Sequence, residues 1–134
     1  TGKKMAIEGK VLSDLTTNHV IPVAIRYQNI LLDNVRNLKD IYGDKDFRKM
    51  AASQMDLIKC ISEDISAAES LVDELDALDA KLSNEEEGRA AAILYHDKMA
   101  PMLEEIRSHV DSLEMMVDDQ MWPLPKYREL LFIH

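Results

Sequence analysis

The sequence predicts an all-α fold: three long antiparallel helices in an up-down-up bundle, closed by a short C-terminal helical strap. Two observations carry this. First, the stretch from Asp44 to Leu82 holds no Pro and no Gly, and Phe47, Ala51, Gln54, Ile58, Ile61, Ile65, Ala68, Val72 and Leu75 recur along it in alternating steps of four and three. That step averages about 3.5 residues, close to the helical repeat, so these side chains form one seam on one face of a single helix. Second, aromatic residues make up only 5% of the 134-residue chain, with four Gly and four Pro, too few for the many turns of a β-rich fold. A helix over residues 44–82 is about 57 Å long and cannot bury its seam against itself. It needs neighbours of matching length, and the chain offers one on each side.

The first segment, from about Lys3 to Tyr42, places Val11, Leu15, Ala24, Tyr27, Leu31, Val35, Leu38 and Tyr42 largely on one face. Pro22 interrupts it. Proline lacks the N–H that would bond the Asn18 carbonyl and crowds that turn, so a kink is expected, with a break into two helices as the alternative. Gly43 is placed to end this helix in a left-handed conformation, and Asp44 to cap the next by accepting from the N–H of Asp46 or Phe47. So short a connection forces the chain back antiparallel.

The central helix is expected to stop near Leu82. Ser83 with Glu86, and Asn84 with Glu87, fit capping boxes, and three successive acids suit the positive end of a helix dipole. The third helix then starts within a residue or two of Asn84. Its seam reads Ala92, His96, Met99, Leu103, Ile106, Val110, Leu113 and Val117, with a second kink expected at Pro101. Trp122-Pro123-Leu124-Pro125 must end it, because each proline disfavours helical geometry in the residue before it. Lys126 to Phe132 can form one closing helical turn or two, with Pro125 at the first position and Trp122 as the apolar plug that pins the strap. The whole chain, 1–134, reads as one helical domain, with no internal repeat, low-complexity tract or linker.

Charge and chemistry narrow the function classes. Net charge is −9, with no basic patch to neutralise phosphates, which argues against nucleic acid. From Ser62 to Asp79 there are seven acids and no Lys or Arg, a face that repels nucleic acid and anionic membrane alike and is most simply solvated. No apolar run approaches the ~20 residues a membrane span needs. The single Cys60 excludes an internal disulfide and fits a reducing compartment. Its acidic neighbours disfavour a thiolate nucleophile.

The four glycines, Gly2, Gly9, Gly43 and Gly88, form no phosphate loop, and Gly-x-Ser-x-Gly is absent. Of the histidines, His19, His96, His109 and His134, only His109 has a carboxylate four residues before it on the same helix, Glu105. Bundle di-metal sites use Glu-x-x-His pairs, which do not occur here, so a structural role for His109 is expected. His96 is expected at the core edge, bonded to a neighbour. Met115, Met116 and Met121 suit a packed core or fixed interface. No catalytic, cofactor-binding or metal-binding residue is therefore expected in this chain.

Two stretches carry a family resemblance. One is Ile21-Pro22-Val23-Ala24-Ile25-Arg26-Tyr27-Gln28-Asn29. The other runs from Glu105-Ile106-Arg107-Ser108-His109-Val110-Asp111 through Val117-Asp118-Asp119 to Trp122-Pro123-Leu124-Pro125-Lys126-Tyr127-Arg128-Glu129-Leu130-Leu131-Phe132, and this last run is the specific part. Both resemble the C-terminal region of type III glutamine synthetases, over essentially the whole chain. The resemblance implies a larger bacterial, cytoplasmic homo-oligomeric parent that joins ammonia to glutamate with ATP and magnesium or manganese. It implies that the catalytic domain lies upstream, with all metal, nucleotide and glutamate residues. The present chain is then a structural domain packing on its own catalytic domain or on neighbouring subunits. Leftover apolar residues such as Ile30, Leu32, Ile41, Leu57, Leu71 and Leu78 supply the surface for that. The alternative is a free-standing acidic helical adaptor that takes a partner's amphipathic helix or basic segment through the Ser62–Asp79 face. A small metal-dependent helical enzyme is a third possibility, which metal titration tests.

Overall fold

A computed structural model describes residues 2–83 and 89–117, and the side chains of residues 8–81, 93 and 97–117 within them. The described chain is helical throughout: α1 (Gly2–Leu15), a π-helical turn (Thr16–Val20), α2 (Ile21–Met50), α3 (Ala52–Ser83) and α4 (Arg89–Met116). No strand occurs among the described residues. The capping boxes at Ser83–Glu87 and the strap with Trp122 lie outside them, as do the side chains of Ala92 and His96.

These elements make three rods, because the chain reverses at Gly43. That residue has φ 80° and ψ 177° inside α2. The positive φ is the one expected, but ψ lies far from the left-handed helical value, in a region that essentially only glycine occupies. A Cβ there would meet nothing within 4 Å, so backbone conformation, not crowding, demands glycine. Side chains confirm the reversal. Gln28 Nε2 donates to the Ile58 carbonyl (2.9 Å) and to Ser62 Oγ (2.6 Å), and Gln54 Nε2 donates to Asn34 Oδ1 (3.0 Å). A step forward on one rod is matched by a step back on the other.

The Asp44 carboxylate does not take the capping position. It lies 3.7 Å from Lys39 Nζ, and the same ammonium sits 5.6 Å from the Phe47 ring centroid. Lys39 thus ties both sides of the reversal by charge and by cation–π attraction, worth on the order of 0.5–1 kcal/mol at an exposed site. Beyond the turn the helix is interrupted at Ala51 (φ −103°, ψ 10°), where α2 ends and α3 begins: Ala51 N–H bonds the Phe47 carbonyl at 2.7 Å, and Met55 N–H bonds that of Ala51 at 2.9 Å. The single helix expected over residues 44–82 is thus divided into two helical lengths at Ala51.

Its seam packs as the spacing predicts. Ala51, Ile61, Ile65, Ala68, Val72 and Leu75 are buried, with Phe47, Gln54 and Ile58 half-buried toward the turn. The α4 seam is buried from Met99 through Leu103, Ile106, Val110 and Leu113 to Val117. Pro101 falls on the exposed side of α4, and the helix runs through it unbroken.

The first rod departs from expectation. Val11 is 62% exposed, and Leu12, Thr16 and Val20 are buried in its place; Tyr42 is also exposed. The cause is the π-turn just before Pro22. There the Ile21 N–H reaches back five residues to the Thr16 carbonyl. Leu12, Thr16, Val20 and Ala24 stand four apart three times running, which would rotate an α-helix face by about 120°. One extra residue in a wider turn takes most of that rotation back, so the buried face stays in line while the expected positions Val11 and Leu15 slip to its edge. The chain stays helical through Pro22, so the alternative of a break into two helices does not occur there. The buried Thr16 hydroxyl is satisfied locally, donating to the Leu12 carbonyl at 2.7 Å.

Candidate functional site

Polar side chains that bridge helices concentrate at one place on the α3–α4 seam. Asp64 projects from α3 between the buried Ile61 and Ile65 turns and meets two residues one turn apart on α4. His109 Nδ1 lies 2.8 Å from its Oδ1, and Ser112 Oγ donates to its Oδ2 at 2.5 Å. All three side chains are partly buried. The composition is that of a hydrolase triad, but the order is not. A nucleophilic serine must face the imidazole that takes its proton. Here serine and imidazole both face the carboxylate, so the arrangement fixes two helices and activates no hydroxyl. The Glu105–His109 pair does not converge: Glu105 is exposed, and His109 turns to Asp64.

A second tie lies between the first and third rods. The Arg107 guanidinium bonds Glu104 Oε1 at 2.8 Å and lies 3.7 Å from Glu8 Oε2 on α1. Nearby, Gly9 is buried against Leu75, Met99 and Leu103 where the three rods meet. On the acidic face, Glu63, Glu69, Asp73, Glu74 and Asp76 are solvated, while Asp64 belongs to the α4 contact. Cys60 is exposed and free, and His19 is exposed in the π-turn. Among the described residues no three His, Cys, Asp or Glu side chains are grouped to hold a metal ion, and no helix is long and apolar enough to cross a membrane.

Three features of this arrangement were not visible in the sequence. Asp64 reads as one acid of a solvated run. Glu114 is buried at 1% exposure next to the seam residue Leu113. Gln28, which lies within the resemblance stretch, is what clamps α2 to α3.

The polar contacts at Gln28, Asp64 and Arg107 each join one helix of the bundle to another. Residues 2–39 match the family model of the glutamine synthetase C-terminal domain. A glutamine synthetase of Bacteroides fragilis is 43% identical over 129 residues, which is 96% of this chain. The chain is thus similar to glutamine synthetases along nearly its whole length and to their C-terminal domain over residues 2–39. A type-3 glutamine synthetase of Dictyostelium discoideum aligns over 98% of the chain at 24% identity, and its name carries the type given by the resemblance. The chain spans 18% of the length of each of these relatives. The glutamine synthetase C-terminal domain match covers α1, the π-turn and most of the outgoing part of α2, so the phase-shifted rod lies almost wholly within it.

Proposed function

We propose that this chain is the non-catalytic helical domain of a type III glutamine synthetase, a larger enzyme that ligates ammonia to glutamate at the expense of ATP. The observation that carries the reading is the end-to-end alignment at 43% identity with a protein more than five times as long. The helix-clamping geometry at Asp64 supports a structural rather than a chemical role. On this reading the catalytic domain lies elsewhere in the parent, with its ATP and magnesium or manganese. The domain packs on that catalytic domain or on neighbouring subunits of a cytoplasmic, bacterial homo-oligomer, and takes part in neither nucleic-acid nor membrane binding.

An antibody raised against this chain tests the reading on a denaturing blot of the source extract. The expected band is several times larger than 15.3 kDa. The captured protein should form glutamine from glutamate and ammonia only with ATP and a divalent metal. A band at the mass of the chain itself, with no such activity, supports the acidic adaptor instead.

A further inference from the structure

No further inference is drawn: the strongest candidate, the exposed apolar surface at Ile30, Ile41 and Met50 on the hairpin that reverses at Gly43, carries nothing because nothing in the structure shows what covers it.

Discussion

Asp64 and His109, 45 residues apart in sequence, meet at 2.8 Å across the α3–α4 seam, and the second Asp64 oxygen is held by Ser112. One carboxylate thus satisfies donors from two successive turns of the facing helix. In a partly buried site such bonds contribute about 0.5–1.5 kcal/mol each, more when one partner is charged. Truncating the acceptor strands both donors. Asp64→Ala should therefore lower unfolding free energy by about 2–3 kcal/mol in urea titration, and Ser112→Ala by about 1 kcal/mol. A double-mutant cycle between the two should give a coupling of on the order of 1 kcal/mol. Additive losses would mean that the contact contributes nothing.

The core should answer to size where the seam is dry. Ile61 and Ile106 are fully buried on facing helices. Ile61→Ala or Ile106→Ala should cost about 2–5 kcal/mol through lost transfer energy and the cavity left behind. Val11→Ala, one position from the buried Leu12, should stay within about 0.5 kcal/mol of the parent. If Val11→Ala were as costly as Ile61→Ala, the π-turn phase would be wrong.

Gly43 should resist every side chain, though space surrounds it. Gly43→Ala forces an L-residue to φ 80° and ψ 177°, at a cost of about 1–3 kcal/mol. The expected readout is a lower thermal midpoint with unchanged helix content at 25 °C. An unchanged midpoint would show that the reversal can be made another way.

Gly9 is the contrasting case. A Cβ built there meets Leu75 Cδ2 at 3.5 Å, Met99 Sδ at 3.7 Å and Leu103 Cδ2 at 3.8 Å, all ordinary van der Waals contacts. The residue lies inside α1, where glycine is less favourable than alanine by roughly 0.5–1 kcal/mol. Gly9→Ala should therefore stabilise the chain by about that amount, measured by thermal or urea unfolding.

Much of the architecture was legible in the sequence because burial in a bundle is set by spacing. The seams of the central and third helices, from Ile61 to Leu75 and from Met99 to Val117, are buried where the four-three step puts them. The N-terminal half of the first rod was not legible. A π-turn has no composition of its own, and Pro22 signals trouble in the ladder without saying whether the helix bends, breaks or widens. Asp64 was hidden for a different reason. In a run with six other acids nothing local separates the one turned inward, since that depends on which residues of α4 arrive opposite. The same holds for the exchange at the reversal, where Lys39 rather than a backbone N–H engages Asp44.

The widened turn at Thr16–Val20 has a consequence for how the rod tolerates change in length. Removing one residue from it would let the hydrogen bonds close as ordinary α-helix, so the backbone would lose little locally. Eleven α-helical steps from Leu12 to Ala24 end within about 20° of the starting direction, as the twelve steps with the wide turn do, so Gly9 and Leu12 would stay on the shared core and Val11 outside it. The turn works as a store for one surplus residue between two lengths of helix that stay in phase. Both ends of the rod thereby keep one buried face at either chain length.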